Sequence, residues 1–229
     1  ATADTAATHI ETACIPSTEG LGKALIREDL KRIYLAPLEI GDKGRALGVL
    51  AFGGLLMLLD RPLFEELNTK LVGPWARAGS DQVEELGNGA VDLAICGAIA
   101  LKDPQTGYLA ANALAYSALL AGALKIALGR SRPFVEPGDS RFTGPTFQGG
   151  YDSMPSGHTA AAFAMATVLA RRYPRYRPYF YALASAEALA RINGGHHWPS
   201  DTFFGAVIGM YAGEAVMRNS KLKLAEIKW

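Results

Sequence analysis

The 229-residue chain carries 23 Lys and Arg against 22 Asp and Glu, which gives a formal net charge of +1. This length allows one domain with a sizeable buried core, and the near-neutral balance argues against a nucleic-acid-binding protein held by general electrostatic attraction. With 49% hydrophobic and 20% charged residues, the composition excludes a disordered chain, a coiled coil and a collagen-like chain.

The N-terminal segment 1–19 lacks hydrophobic periodicity and is predicted to be an arm that precedes a single domain over 20–229. The chain starts at Ala1 rather than Met, and its small first residues are typical of the mature side of a signal cleavage, which indicates export. Cys14 and Cys96 are too few for a disulfide-dense scaffold or a cysteine-based zinc site. They either form one disulfide in an oxidising compartment or are two unrelated thiols.

Helical periodicity predicts an all-α domain of eight or nine helices. In chain order, the predicted helices are 21–35, 44–59, 62–72, 76–86, 89–101, 108–129, 159–172, 179–191 and 201–217. A turn over 102–107 is predicted to separate the fifth helix from the sixth. No internal repeat and no alternating strand pattern is present in the sequence.

Apolar segments of the sequence bear on membrane contact, because a spanning helix needs about 20 apolar residues in a row. The uncharged segment 104–124 contains several polar residues, and 89–101 is interrupted by Asp92. We therefore interpret these segments as buried helices of a soluble or surface-associated bundle, with membrane association as the alternative.

The first of three clusters near predicted helix ends runs from Lys125 to Arg132-Pro133. Lys125 and Arg132 are seven residues apart, or two helical turns, which predicts that both lie on one face of a helix that Pro133 ends. Taken alone, the cluster is also explained by a solvated lysine and by arginines that complement the helix dipole.

The second cluster, Pro155-Ser156-Gly157-His158-Thr159, opens a predicted helix. Ser156 is typical of an N-cap, and Gly157 lets an anion approach the backbone closely. Because a helix N-terminus binds phosphate through its free N–H groups, His158 would stand beside that anion. The alternative is an ordinary cap followed by a surface histidine.

The third cluster runs from Arg191 to Asp201. Ser200 is predicted to cap the last helix, which puts Asp201 in its first turn. Asp201 can then accept a hydrogen bond from Nδ1–H of His197 and leave Nε2 as a nucleophile. Glu187, four residues before Arg191, is placed to orient that arginine. The alternative is a salt-bridged arginine and a loop with two stacked histidines.

Together, the clusters resemble the signature of the type 2 phosphatidic acid phosphatase (PAP2) superfamily, which includes bacterial acid phosphatases, lipid phosphate phosphatases and vanadium haloperoxidases. That signature has Lys, six residues and Arg-Pro, then Pro-Ser-Gly-His, then Ser-Arg, five residues, His, three residues and Asp. All spacings within the clusters fit, and Ala190 stands where the family usually has Ser. The spacing to Asp201 selects His197 rather than His196 as the nucleophile.

The resemblance implies an all-α, single-domain helical bundle of the PAP2/haloperoxidase type. It also implies a metal-independent phosphatase that hydrolyses phosphomonoesters, and the substrate is either a soluble phosphate or a lipid or isoprenoid phosphate. It implies that His197 attacks phosphorus and forms a phosphohistidine, that Asp201 holds its tautomer, and that His158 protonates the leaving alkoxide. The residues implied to bind the phosphate oxygens are Lys125, Arg132, Ser156, Gly157 and Arg191. No cofactor is expected, and vanadate or phosphate would occupy the site.

Two other functions stay open: a vanadate-dependent haloperoxidase, for which the chain is short, and a non-catalytic subunit, against which the intact motif residues argue. We expect a phosphorylated small molecule or lipid as the partner and no nucleic acid. Membrane-surface contact, a homo-oligomer and a partner subunit are left open. The small first residues of the chain and the resemblance to the PAP2 superfamily together predict a periplasmic or exported protein.

The segment 134–154 joins the first cluster to the second and contains four glycines and two prolines, so it is predicted to be a loop. Long structureless segments within a domain are usually functional. Its aromatic residues include Phe134, Phe142 and Phe147, which either pin the loop to the bundle or form a lid that contacts the leaving group.

Overall fold

The computed structural model describes residues 18–35, 43–70, 89–135 and 140–222. Within these ranges the chain is helical and contains no β-strand, which confirms the all-α prediction. The α-helices are α1 (Thr18–Tyr34), α2 (Lys43–Leu58), α3 (Asp60–Lys70), α4 (Gly89–Ala100), α5 (Pro104–Leu128), α6 (Gly157–Arg172), α7 (Arg177–Asn193) and α8 (Pro199–Asn219). The predicted helix 76–86, Cys14 and residues 1–17 of the predicted arm lie outside the described residues, whereas Thr18 and Glu19 belong to α1.

The start of α5 differs from the prediction, because most of the predicted turn 102–107 is its first helical turn. The Asp103 side chain is the N-cap, since it accepts hydrogen bonds from the backbone N–H of Thr106 (3.0 Å) and from its hydroxyl (2.6 Å). Pro104 occupies the first helical position, where its missing N–H costs nothing. The Asp-Pro pair that indicated a turn is therefore a helix start.

The contact between α6 and α8 is the most extensive between two helices of the described chain. On α8, Gly205, Gly209 and Gly213 face α6, and a Cβ atom at Gly209 would lie 2.3 Å from the carbonyl oxygen of Ala160. The missing side chains let the two helix backbones approach closely. Around this contact lies a core of small and aliphatic residues from α5, α6 and α8.

Short connections arrange the ends of these helices. Four residues separate α6 from α7 and five separate α7 from α8, so consecutive helices run in opposite directions. The segment after α5 returns to the start of α6, where the N–H of Ser153 donates to the carbonyl of Arg130 (3.0 Å). The end of α5, the start of α6, the end of α7 and the start of α8 therefore meet at one end of the bundle, which we call the site end.

Helix α5 is long and apolar enough to cross a membrane. Helices α2 and α3 are together also long and apolar enough, although the pair is bent by 66° at the break between them. The 104–124 segment, interpreted from the sequence as a buried helix, therefore also has the length and composition of a membrane span. Less than half of the apolar window of α5 is buried inside the bundle. The exposed apolar side chains of α2, α4 and α5 include Leu47, Leu50, Phe52, Leu55, Leu58, Leu93, Leu119, Leu124 and Ile126.

Candidate active site

All eight residues predicted for the site lie at the site end of the bundle. Lys125 is in the last turn of α5, Arg132 follows that helix, and Arg191 is in the last turn of α7. Ser156, Gly157 and His158 begin α6, while His197 precedes α8 and Asp201 lies in its first turn.

The start of α6 is an N-cap, as predicted. The Ser156 hydroxyl accepts from the backbone N–H of Thr159 (3.4 Å) and from its side-chain hydroxyl (3.0 Å). A Cβ atom at Gly157 would lie 3.6 Å from Cε of Lys125, so the lysine side chain lies against the first turn of α6. The positive end of the helix dipole and an ammonium group thus converge on one point, which is the arrangement of an anion-binding site.

The first cluster differs in backbone geometry from the prediction. Helix α5 ends at Leu128, and Gly129 adopts a left-handed conformation (φ 58°), so Pro133 is not the helix stop. Lys125 and Arg132 therefore do not share a helix face, and both reach Asp152 instead. Lys125 donates to the backbone carbonyl of Asp152, and Arg132 donates to both carboxylate oxygens, from Nε (2.9 Å) and Nη2 (2.8 Å).

Asp152 was not identified from the sequence. Burial alone would raise the pKa of its carboxyl, but the Arg132 guanidinium and the Lys125 ammonium hold that pKa below its ordinary value. The ionised carboxylate of Asp152 holds Arg132 and its backbone carbonyl holds Lys125, both beside the start of α6. The side chain of Asp152 is 44% exposed at the edge of the site.

His197 is 1% exposed, whereas His196 is half-buried and meets the Phe134 ring edge-on, with 6.3 Å between ring centroids. Burial, aided by the nearby cations Lys125 and Arg132, lowers the pKa of His197 to about 4, although Asp201 acts in the opposite direction. The imidazole is therefore neutral at physiological pH, the state that a nucleophile requires.

The His197–Asp201 contact is longer than a hydrogen bond. Nδ1 of His197 lies 3.7 Å from Oδ2 of Asp201, and it has no hydrogen-bond partner among the described residues. Such catalytic contacts are often long in ligand-free proteins and shorten when substrate binds.

Three other donors hold the Asp201 carboxylate. Its Oδ1 accepts from Nη1 of Arg130 (2.6 Å), and its Oδ2 accepts from the Ser153 hydroxyl (2.6 Å) and the backbone N–H of Trp198 (2.9 Å). Burial favours the protonated acid, but the adjacent His197 and Arg130 hold the pKa of Asp201 below its usual range. The carboxylate is thus fixed in place and ionised behind the imidazole.

A buried ionic network lies behind Asp201. Arg130 is fully buried, and its Nη2 donates to Oδ2 of Asp60 (2.5 Å), the first residue of α3. Ser200 links the same groups, since its backbone N–H and its hydroxyl donate to Asp60 at 2.8 and 2.6 Å. The sequence-based prediction that Ser200 caps α8 is wrong, because Trp198 is the N-cap residue. The network joins the break between α2 and α3 to the catalytic region.

The aromatic residues of the predicted loop have different environments. The Phe142 ring lies 5.2 Å from the guanidinium carbon of Arg130, so this ring is stacked on the buried network. Phe147 is 89% exposed. Phe142 is therefore pinned to the bundle, and a lid role for Phe147 stays a prediction.

Comparison with known families places these features in context. A sequence model of the PAP2 superfamily matches residues 106–223, just over half of the chain, and includes all three clusters. The chain belongs to the PAP2 superfamily. The resemblance inferred from the three clusters is thereby confirmed.

Curated relatives match part of the chain. The lipid A 1-phosphatase of Rhizobium etli is 38% identical over 96 residues, 41% of this chain and 41% of the relative. The lipid A 1-phosphatase of Rhizobium johnstonii is 37% identical over 98 residues, 42% of this chain and 40% of the relative. That of Porphyromonas gingivalis is 42% identical over 67 residues, 28% of this chain and 15% of the relative. The matched region spans at most about two fifths of the length of these relatives.

Two crystal structures share the fold. LpxE of Aquifex aeolicus superimposes with a TM-score of 0.56 and 24% identity over 70% of this chain and 95% of that protein. A transmembrane PAP2-type phosphatidylglycerolphosphate phosphatase from Bacillus subtilis superimposes with a TM-score of 0.50 and 19% identity. This match covers 86% of this chain and 94% of that protein. These similarities confirm the helical PAP2 fold.

Proposed function

We propose that the protein is a phosphomonoester hydrolase that acts on lipid phosphates through a phosphohistidine intermediate on His197. The observation that supports this most is a buried, neutral imidazole beside cations at the start of α6. Such a site binds a phosphate group and holds a nucleophile next to it.

The proposed reaction has two steps. Nε2 of His197 attacks phosphorus while the bond to the ester oxygen breaks, and His158 donates a proton to the leaving alkoxide. In the second step His158 takes a proton from water, whose oxygen attacks the phosphohistidine and releases inorganic phosphate and neutral His197. Lys125, Arg132, Arg191 and the backbone at Ser156 and Gly157 stabilise the charge on the phosphoryl oxygens in both steps.

We propose a lipid phosphate as the substrate class for two reasons. The three curated relatives are named lipid A 1-phosphatases, and exposed apolar side chains cover α2 and the outer face of α5. An exposed apolar surface of this extent is typical of a membrane contact, and a bilayer against it would bring lipid headgroups within reach of the site. The periplasmic location expected from the sequence stays a prediction.

We propose that the reaction needs no metal or organic cofactor, because side-chain cations supply the positive charge that a metal would supply. Within the described ranges, no group of three or more His, Cys, Asp and Glu residues is arranged to hold a metal ion. Vanadate is expected to compete with substrate, because its five-coordinate form resembles the transition state.

The test is phosphate release by purified protein from a long-chain lipid phosphate and from an aryl phosphate, with and without EDTA and vanadate. We expect turnover that persists in EDTA and stops with vanadate. His197→Ala should abolish turnover and the acid-labile phosphoenzyme, while the matched control His196→Ala retains both. Wild-type rates in His197→Ala would refute the assignment of His197 as the nucleophile. Loss of activity in EDTA that a divalent ion restores would refute the proposal that the reaction needs no metal.

The same preparation tests the other functions. A folded wild-type protein with no turnover of any phosphate ester would favour a non-catalytic subunit. Halide oxidation in the presence of vanadate and peroxide would favour the haloperoxidase, although the named relatives are phosphatases.

A further inference from the structure

A cavity of about 340 Å³ lies between α4, α6 and α7 and includes His158 in its wall. Its walls are mainly apolar, and its polar side chains are those of His158, Asp92 and Glu187. The apolar wall is formed by Ile95, Ala162, Met165, Ala166, Leu169, Phe180, Leu183, Ala184 and Ala186.

The chain directions give this cavity a polar end and an apolar end. On α6 it extends from His158, in the first turn, to Leu169, eleven residues later, which corresponds to about 16 Å along the helix. Helix α7 runs the opposite way, so Glu187 lies toward the site end and Phe180 lies away from it. Asp92 is in the first turn of α4, which a three-residue link joins to α5, so Asp92 also lies toward the site end.

The position of His158 determines what such a cavity can hold. In the proposed reaction His158 protonates the ester oxygen that leaves, so the group bonded to that oxygen must extend past His158. The phosphate itself lies on the other side, among Lys125, Arg132 and the start of α6. We infer that the cavity binds the leaving group of the substrate and takes a single apolar chain; this inference rests on the proposed function.

Asp92 adds a polar requirement to this binding site. It is 6% exposed and lies in the mainly apolar wall of the cavity. Its carboxyl gains free energy from a hydrogen-bond donor placed there, and the cavity is large enough for a ligand. The leaving group therefore carries a hydroxyl or amide donor near its ester oxygen, and Asp92 accepts the hydrogen bond. Asp92 is thus a specificity-determining residue.

The chain-binding part is tested with alkylphosphonates, which bind like phosphate esters but are not hydrolysed. Their affinity for the wild type, measured by calorimetry below micelle-forming concentrations, should rise up to about fourfold per added methylene until the cavity is full. Ala186→Phe and Ala162→Phe place a ring in the cavity and should abolish this dependence. Ala118→Phe, on the exposed side of α5 and outside the cavity, should preserve it.

The polar part is tested with 2-hydroxyalkylphosphonates of the same chain length. The wild type should bind them about tenfold or more tightly than the plain alkylphosphonates, as expected for a hydrogen bond to a carboxylate. Asp92→Leu should remove this preference, and Asp92→Asn, which keeps an acceptor oxygen, should retain part of it. Unchanged affinity for phenylphosphonate in each variant shows that the fold and the phosphate site are intact.

Two results would overturn the inference: affinity that does not rise with chain length, or a rise that persists in both Phe variants. A hydroxyl preference that is unchanged in Asp92→Leu would overturn the role of Asp92. If phosphonates bind with the expected length dependence but alkyl phosphates release no phosphate, the proposed function fails and the binding site stands.

Discussion

Two arginines that are two residues apart should have opposite roles, and replacing each by methionine separates them. Arg130 is fully buried between Asp60 and Asp201. Arg132 pairs with Asp152 at a partly exposed position, where the arginine side chain is 18% exposed and the aspartate side chain 44%. We predict that Arg130→Met mainly lowers stability and that Arg132→Met mainly lowers activity.

The expected magnitudes follow from these environments. Arg130→Met leaves two buried carboxylates without their shared counterion, and breaking a buried ion pair costs about 3–5 kcal/mol. For a chain of this size that corresponds to a fall in Tm of roughly 6–20 °C. Breaking the partly exposed Arg132 pair costs about 1 kcal/mol or less. Loss of the charged hydrogen bonds that we propose Arg132 makes to the phosphate should lower kcat/KM on the order of tenfold to a hundredfold.

The assay is thermal unfolding of purified protein in detergent beside aryl phosphate hydrolysis well below Tm. The double variant Asp60→Leu with Arg130→Met provides a control, because removing both charges should cost less than the sum of the single changes. If Arg130→Met left Tm unchanged but abolished activity, Arg130 would be a phosphate ligand and the assignment of the buried network would be wrong.

Three further predictions follow from the packing and the titration behaviour of the described residues. Because burial lowers the pKa of His197 to about 4, kcat/KM should fall as the pH drops through that value; an acid limb near 6.5 in the pH profile would contradict this. Gly209→Ala should lower the free energy of unfolding by about 1–3 kcal/mol, because the added methyl group overpacks the helix contact. Gly122→Ala, on α5, has open space for the methyl group and should raise the free energy of unfolding by up to about 1 kcal/mol. Equal Tm shifts in the two variants would refute the close α6–α8 contact. Phe142→Ala should lower Tm because its ring stacks on Arg130, while Phe147→Ala should leave Tm unchanged and alter the ratio of kcat/KM for lipid and aryl phosphates; an unchanged ratio would exclude a lid role.

Local signals in the sequence predicted most of the fold. Helical periodicity and cap residues act over a few positions, so the helices of the described chain and the Ser156 cap were predicted correctly. Two of the errors occurred where two local signals compete. Asp103 and Pro104 indicated a turn but form a helix start, and Gly129 ends α5 before Pro133 does.

Residues behind the catalytic group could not be predicted because their contacts are far apart in sequence. Asp60 accepts hydrogen bonds from Ser200, 140 positions later, and from Arg130, 70 positions later. Nothing in the sequence around Asp60 distinguishes it from an exposed acid beside a helix break. Arg130 lies within the first cluster, but its spacing gives no sign that it faces away from the phosphate and toward Asp201.

The distribution of charge around His197 matches the charge that develops in the proposed reaction. Behind the imidazole, two carboxylates share one guanidinium, so this inner layer carries excess negative charge. In front of it lie Lys125 and Arg132, with Arg191 nearby, and the Asp152 carboxylate is paired with Arg132. Attack on phosphorus makes His197 cationic and adds negative charge to the phosphoryl oxygens. The inner layer stabilises the first charge and the outer layer stabilises the second, and neither has to reorient during the reaction.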